Sequence, residues 1–244
     1  MSLPIKVGII TQARLGSSRL PGKVLLKAGG KALLAHHIER LQQSGHPVIV
    51  ATTTEKIDDA IVEFCEHRNL PYFRGDEQNV LSRFYGCAVR YGLKVIVRVT
   101  SDCPLIDGTL IKTAVENYFL SDDPRVYASN CLVRTYPRGL DFEIFSFVLL
   151  EEAYLHAFSP VEKEHVTPYL YQNKPESIII KHVTDENNNS QFRITLDTVE
   201  DYHLIKILIE EHQANTLPSS EIIELLKNRP ELPAINAHVE QNKL

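Results

Sequence analysis

A doubly wound α/β fold, with a mostly parallel sheet covered by helices on both faces, is the architecture this sequence predicts. Three observations carry the prediction. Nearly continuous apolar runs recur at 6–11, 47–53 and 94–100, as expected of strands buried on both faces. Stretches of helical period lie between them, the alternation that builds parallel sheets. The first run ends in a glycine-containing, cation-rich turn, where such a fold places its ligand. With 244 residues, 43% of them hydrophobic and 23% charged, a chain of this kind buries roughly 70 to 75% of its unfolded surface without staples.

Taken in order, 6–11 is the first strand, 32–44 a helix and 47–53 the second strand. Residues 56–68 are helical by period, with Ile57, Ala60, Ile61 and Phe64 on one face, and Asn69-Leu70-Pro71 ends them. A short strand at 72–74, a helix at 79–91, the strong strand "KVIVRVT" at 94–100 and a helix at 107–120 follow. Beyond it the texture changes. Strands are predicted at 126–129, 140–145, 177–183 and 192–196, with a helical stretch at 146–173. Residues 131–192 are therefore expected to leave the sheet and return as an inserted α+β segment, an extra lobe or an arm for a partner subunit. "DENNNS" at 185–190 is a solvated tip. Helices at 198–212, capped by Thr198, and at 219–228, capped by Ser219 or Ser220, complete a single domain. Residues 230–244 read as a tail.

Several function classes are disfavoured. No apolar segment approaches the roughly 18 residues of a membrane span, and the N-terminus shows no secretory signal, so a cytoplasmic location is expected. A net charge of −5 argues against a nucleic-acid surface. Any bound anion has to be held by local cations. Cys65, Cys87, Cys103 and Cys131 are spaced too irregularly for a metal clip or a disulfide framework and read as reduced core thiols.

The turn after the first strand, "TQARLGSSRLPGKVLL" at 11–26, fits neither familiar phosphate loop. Gly16 and Gly22 enclose five residues and Lys23 precedes Val24, whereas a Walker loop needs four and then Ser or Thr; GxGxxG is absent as well. What remains suits an extended polyanion such as a triphosphate. Arg14, Arg19 and Lys23 supply charge-assisted bonds, and Gly16, Ser17 and Ser18 can turn N–H groups inward. The same composition also suits a solvated basic turn.

Two acids close apolar strands. Asp102 in "RVTSDCPLID" lies at the carboxyl edge of the sheet, placed to neutralise a metal on the phosphates; Asp107 suits helix capping better than chemistry. Asp197 in "RITLDTVEDY" brings a second carboxylate, and two carboxylates with phosphate oxygens are a usual Mg²⁺ set. Asp201 reads as part of the helix start, and Asp197 alone reads equally as such. "YPRGLDFEIFS" alternates Leu140, Phe142 and Ile144 inward with Asp141, Glu143 and Phe145 outward, the pattern also of a solvent-facing strand. In "EKEHVTPYL", His165 sits beside Glu164 on a helix; a lone histidine is commonly structural, and no HExxH spacing occurs.

Three motifs in this order, "QARLGSSRLPGKVL", "TSDCPLID" and "LDTVEDY", resemble the sugar-acid cytidylyltransferases, the group of the sialic-acid and KDO CMP-transferases. "VATT", "FRGDEQNVLSRFY", "YPRGLDFEIFS", "EHVTPYL" and "RITLDTVEDY" follow the pattern of the branch that serves spore-coat polysaccharide biosynthesis. The likeness covers about residues 5–210. It implies a Rossmann-like nucleotide-diphospho-sugar transferase fold, a homodimer, CTP and a sugar acid as substrates, and Mg²⁺. By matching positions, Arg14, Ser18, Arg19 and Lys23 would hold the triphosphate, and Asp102 and Asp197 the metal. Arg74, Gly75 and Asp76, with Val80, Leu81 and Arg83, would sit near the nucleotide or sugar, and Arg138, Asp141, Glu143 and His165 would line the acceptor side. Arg19, Lys23 and Asp102 would carry the chemistry. The sequence departs from the branch at Gln78-Asn79, where an acid is usual, and at Ala32, where proline is usual. The residues alone also admit a nucleotidyltransferase for another NTP or a non-sugar acceptor, or a nucleotide-binding module without turnover.

Overall fold

The protein is represented by a computed structural model that describes residues 6–172 and 175–240. Its centre is β1 (Val7–Gln12), flanked in parallel by β4 (Val48–Thr53) and β6 (Val95–Thr100), with Ile9 level with both Val48 and Val97. β5 (Tyr72–Gly75) extends the sheet beyond β4. On the other side β8 (Glu143–Ser146) pairs antiparallel with β6 and with β7 (Val126–Ser129), and β9 (Ile179–His182) runs parallel to β7. The order is β5-β4-β1-β6-β8-β7-β9, so in this seven-stranded sheet only β8 runs against the rest. The mostly parallel α/β architecture read from the sequence is the one found.

Side-chain alternation splits the core in two. Ile9, Val50 and Val97 face a cluster shared with α1 (Leu33–Gln42), α2 (Asp59–His67) and α4 (Gly108–Phe119). Ile10, Ile49 and Ile96 face α3 (Val80–Tyr91) and α5 (Phe147–His156). Each fully buried aliphatic side chain contributes about 1.5–3 kcal/mol. A third cluster joins Leu140, Ile194 and Leu196 to α8 (Val199–Glu210) and α9 (Ser219–Asn228), and it reaches Leu232 and Ile235. A small ribbon of β2 (Lys27–Ala28) and β3 (Lys31–Ala32), not foreseen in the sequence, precedes α1.

Differences from the sequence reading have local causes. The stretch 146–173 is three helices, α5, α6 (Pro160–His165) and α7 (Pro168–Tyr171), because Pro160 and Pro168 each occupy a first turn, where the missing N–H costs nothing. Its expected end at Asn173 lies outside the described residues. Residues 192–196 form no strand: Ile194 N–H donates to Arg138 O and Leu196 N–H to Asp102 O, both at 2.8 Å, so the segment divides its bonds between two neighbours. Ile57 is 60% exposed because 56–58 is a separate turn before α2. Strand β8 starts only at Glu143, and both its faces are covered, with Glu143 5% and Phe145 0% exposed; it is not a solvent-facing strand. Between 131 and 192, β8 and β9 both join the main sheet. At the far end, α10 (Glu231–Ala234) buries Leu232, while 241–244 lie outside the described residues. Thr198 caps α8 as expected, but the side chain that meets the start of α9 is Asp107, accepting from Ser219 N–H at 2.8 Å as well as from Thr109 and Leu110 N–H of α4. These bonds outweigh the effect of burial and hold its pKa down at about 2.

Gly139 fixes the approach of the 192–196 segment. Its φ is +104°, and a Cβ there would lie 2.6 Å from the Ile194 carbonyl carbon. Gly139→Ala is expected to lower stability by at least about 1–3 kcal/mol, since it adds backbone strain to a backbone clash; urea denaturation of the two proteins measures it.

Candidate active site

The turn at 11–26 is pinned before it reaches solvent. Asp58, 1% exposed, accepts the Leu15 N–H at 2.7 Å and the Thr53 hydroxyl, and Gly22, at φ +69°, returns its N–H to Leu15 O at 3.0 Å. Beneath it runs a buried chain. The Cys103 carbonyl can only accept, so His37 Nδ1–H donates to it (2.7 Å); His37 Nε2 then accepts from Thr11 Oγ1 (2.8 Å), which in turn accepts from Ser101 Oγ (2.7 Å). Burial lowers the His37 pKa to about 4, which keeps the ring neutral as this direction requires. The first strand's exit and the Asp102 turn are thereby tied together.

Asp102 and Asp197 meet because Leu196 N–H and Thr195 Oγ1 (3.1 Å) both donate to Asp102 O. Lys23 Nζ bridges the two carboxylates, 3.1 Å from Asp102 Oδ2 and 2.8 Å from Asp197 Oδ1. Arg19 reaches Asp197 Oδ2 at 3.2 Å, and Arg193 reaches it at 2.9 Å. Burial pulls the Lys23 pKa down, but the two acids more than restore it; burial pushes Asp102 up, but Lys23 and hydrogen bonds from Thr100, Lys23 and Cys103 bring it below the usual carboxylate range. Lys23 and Asp102 therefore stay charged. Asp201, as expected, serves the helix start: it accepts from Asp197 and Thr198 N–H and pairs with Arg193.

Two cavities meet at this cluster. One, of about 350 Å³, is lined by Arg14, Ser17, Ser18, Lys23, Val80 and Arg83. The other, of about 1080 Å³, is lined by Arg98, Arg134, Arg138, Asp141, Glu143 and Tyr171. Arg19, Thr100, Asp102, Glu164, His165 and Asp197 line both. Arg14, Ser17, Ser18, Arg19, Lys23, Asp102 and Asp197 thus come together, and so do Arg138, Asp141, Glu143 and His165, which the sequence led us to expect on an acceptor side.

Three expected residues stand apart. Arg74, whose strand partner is Thr52, spends its guanidinium on Thr53 O, Glu55 O and Asp59. Asp76 accepts the Gln78 and Asn79 N–H groups within its own turn, lines a side groove with Arg14, and sends its carbonyl to Arg83. Gly16 faces Glu77, and the Ser17 N–H is spent on Leu15 O rather than offered inward. Arg14 itself pairs with Glu77 at 3.5 Å.

Arg98, Arg134 and Arg193 escaped the sequence reading. Arg98 pairs with Glu143, which also accepts from Tyr127 and Thr167; Arg134 pairs with Asp141. A cation within the apolar "KVIVRVT" was a usable signal for Arg98, since buried charges are paired ones. Arg193, four residues before Asp197, carried the same kind of signal.

Among the described residues no group of three or more His, Cys, Asp or Glu is placed to hold a metal. Two carboxylates fit Mg²⁺, which takes its remaining ligands from water and phosphate, and not a metal needing an all-protein cage. No helix among the described residues is long and apolar enough to cross a membrane.

The family profile described as cytidylyltransferase matches residues 8–242. The spore coat polysaccharide biosynthesis protein SpsF of Bacillus subtilis is 31% identical over 232 residues, 91% of this chain and 94% of that one. A cytidylyltransferase structure from Leptospira borgpetersenii superposes with a TM-score of 0.87 at 35% identity, covering 98% of this chain and 100% of that one. The structure of CMP:2-keto-3-deoxy-manno-octonic acid synthetase with CTP, at 19% identity, shares the fold with a TM-score of 0.62 over 85% of this chain and 99% of that one.

Proposed function

The chain belongs to the cytidylyltransferase family, and we propose that it transfers CMP from CTP to a hydroxyl of a sugar acid or related sugar, releasing pyrophosphate, for a surface or spore-coat polysaccharide. The observation that carries this reading is the meeting of two cavities at Asp102 and Asp197, with Lys23 and Arg19 between them. The smaller, cation-lined cavity suits a triphosphate. The larger, with Arg98, Arg134 and Arg138 on its walls, suits an acidic acceptor.

The acceptor oxygen attacks the α-phosphorus in line and pyrophosphate leaves; positioning and charge neutralisation carry such a transfer. Lys23 and Arg19 turn from the carboxylates to the phosphates and offset the charge that builds on the leaving group. Asp102 and Asp197, once released by Lys23, would hold Mg²⁺, which when bound would neutralise phosphate charge. The pinned turn and the buried chain through His37 hold the backbone of the loop and of the Asp102 turn fixed while these side chains exchange partners.

The test is pyrophosphate release from CTP, ATP, GTP and UTP, each with 3-deoxy-manno-octulosonate or N-acetylneuraminate and Mg²⁺. Release that depends on both CTP and a sugar acid is expected. Equal rates with the other nucleotides would overturn the assignment to CTP.

A further inference from the structure

His165 stands at the one seam the reaction has to cross, and its backbone is held there at a cost. It ends α6 and lines both cavities, as Asp102 and Asp197 do. The next residue, Val166, has φ +72° and ψ −52°, a region that β-branched residues avoid. Thr167 N–H closes a three-residue turn onto His165 O at 2.8 Å, the strained hand of the γ-turn. The surroundings enforce it: Val166 is fully buried, its N–H bonds to Glu162 O at 3.0 Å, and Thr167 is anchored through its hydroxyl to Glu143. Strain of this kind persists where the fold over-determines it, commonly at active sites.

We infer that His165 is the general base that takes the proton from the acceptor hydroxyl as it attacks CTP. The inference rests on the cytidylyl-transfer reading and adds to it the group that handles the proton. In the step, the acceptor O–H proton passes to a free imidazole nitrogen, and the oxygen's electron pair forms the bond to the α-phosphorus. The bond from that phosphorus to the bridging oxygen breaks, pyrophosphate leaves with the pair, and the imidazolium returns its proton to water. The other groups shared by both cavities are less suited. Asp102 and Asp197 are the carboxylates assigned to the metal in the reading above, and Glu164 is exposed.

The charges around the ring suit a base that is neutral at rest. Burial lowers the His165 pKa below its ordinary value; Glu164 on its own helix and Glu143 on β8 oppose this, and Arg98 on β6 reinforces it. Arg83 on α3 and Tyr171 on α7, the helices packed against α6, line the cavities with it. At neutral pH the imidazole is free to accept, and the two glutamates stabilise the imidazolium that forms.

The experiment compares wild type, His165→Gln and His165→Ala with CTP, Mg²⁺ and whichever of 3-deoxy-manno-octulosonate or N-acetylneuraminate the wild type turns over faster. Both variants are expected to bind CTP as wild type does, with kcat lower by about 10²–10⁴. Wild-type kcat/KM should show an acid limb whose midpoint lies below the ordinary imidazole value of about 6.5, the variants should lack that limb, and added imidazole should raise the rate of His165→Ala. A variant with wild-type kcat, or one slowed but keeping the acid limb and unmoved by imidazole, overturns the base. A wild type that turns over no CTP overturns the transfer reading and the base together.

Discussion

Lys23→Ala is expected to release pyrophosphate from CTP at least about a hundredfold more slowly than wild type, the loss of about 3–4 kcal/mol that follows removal of a preorganised charge from a developing anion. Lys23 touches both carboxylates in the cleft, and it is raised above its ordinary pKa by them against the effect of burial. Its removal has two separable results. The leaving group loses a cation, and Asp102 loses the neighbour that holds its pKa down. Asp102 should then take up a proton at higher pH than in wild type, visible as a shift of the acid side of the rate profile. Asp102→Asn, which removes the acid and keeps the shape, should slow the reaction similarly. Wild-type rates in both variants would remove the cluster from the mechanism.

Asp201→Ala should be the most damaging change to stability. The Asp201 carboxylate is 0% exposed and accepts five hydrogen bonds, two from Arg193 and one each from Asn236, Asp197 N–H and Thr198 N–H. Breaking such a buried pair costs about 3–5 kcal/mol, which at this chain length lowers Tm by about 10 °C. The pH dependence has a definite sign. Burial pushes the Asp201 pKa up, but Arg193 and Asn236 more than reverse it, so the folded value lies below the unfolded one. The stabilisation is complete above the unfolded value of about 3.9 and is lost as pH falls through the folded one. Asp107 adds to the same loss down to its pKa of about 2. Below about pH 4 the wild type should therefore lose stability more steeply than Asp201→Ala, as acid titration followed by circular dichroism would measure.

What was legible in the sequence followed the strength of local signals. The strands at the sheet's centre were readable because burial on both faces leaves continuous apolar runs, as in "VGIIT" and "VIVRV". Asp102 and Asp197 were readable because each closes such a run. The segment 192–196 misled because its alternation is that of a strand, whereas its hydrogen bonds go to Arg138 and Asp102 on different parts of the chain; no local pattern encodes that division. Arg74 misled for a related reason. Its position in "FRGD" is right for the cleft, but its side chain turns to Thr53 and Asp59. Arg134 gave no periodic signal, since it lies in an irregular turn and is placed by its ion pair with Asp141.

The triangle of Lys23, Asp102 and Asp197 is drawn from positions separated by 79 and 174 residues. Such contacts form late, after the intervening chain has found its place, because closing long loops costs entropy before the contacts repay it. Activity is therefore expected to appear only once folding is complete. During synthesis, a chain that has not yet produced residue 197 holds the cation-rich turn and one carboxylate without the other, and the last acid to emerge completes the site.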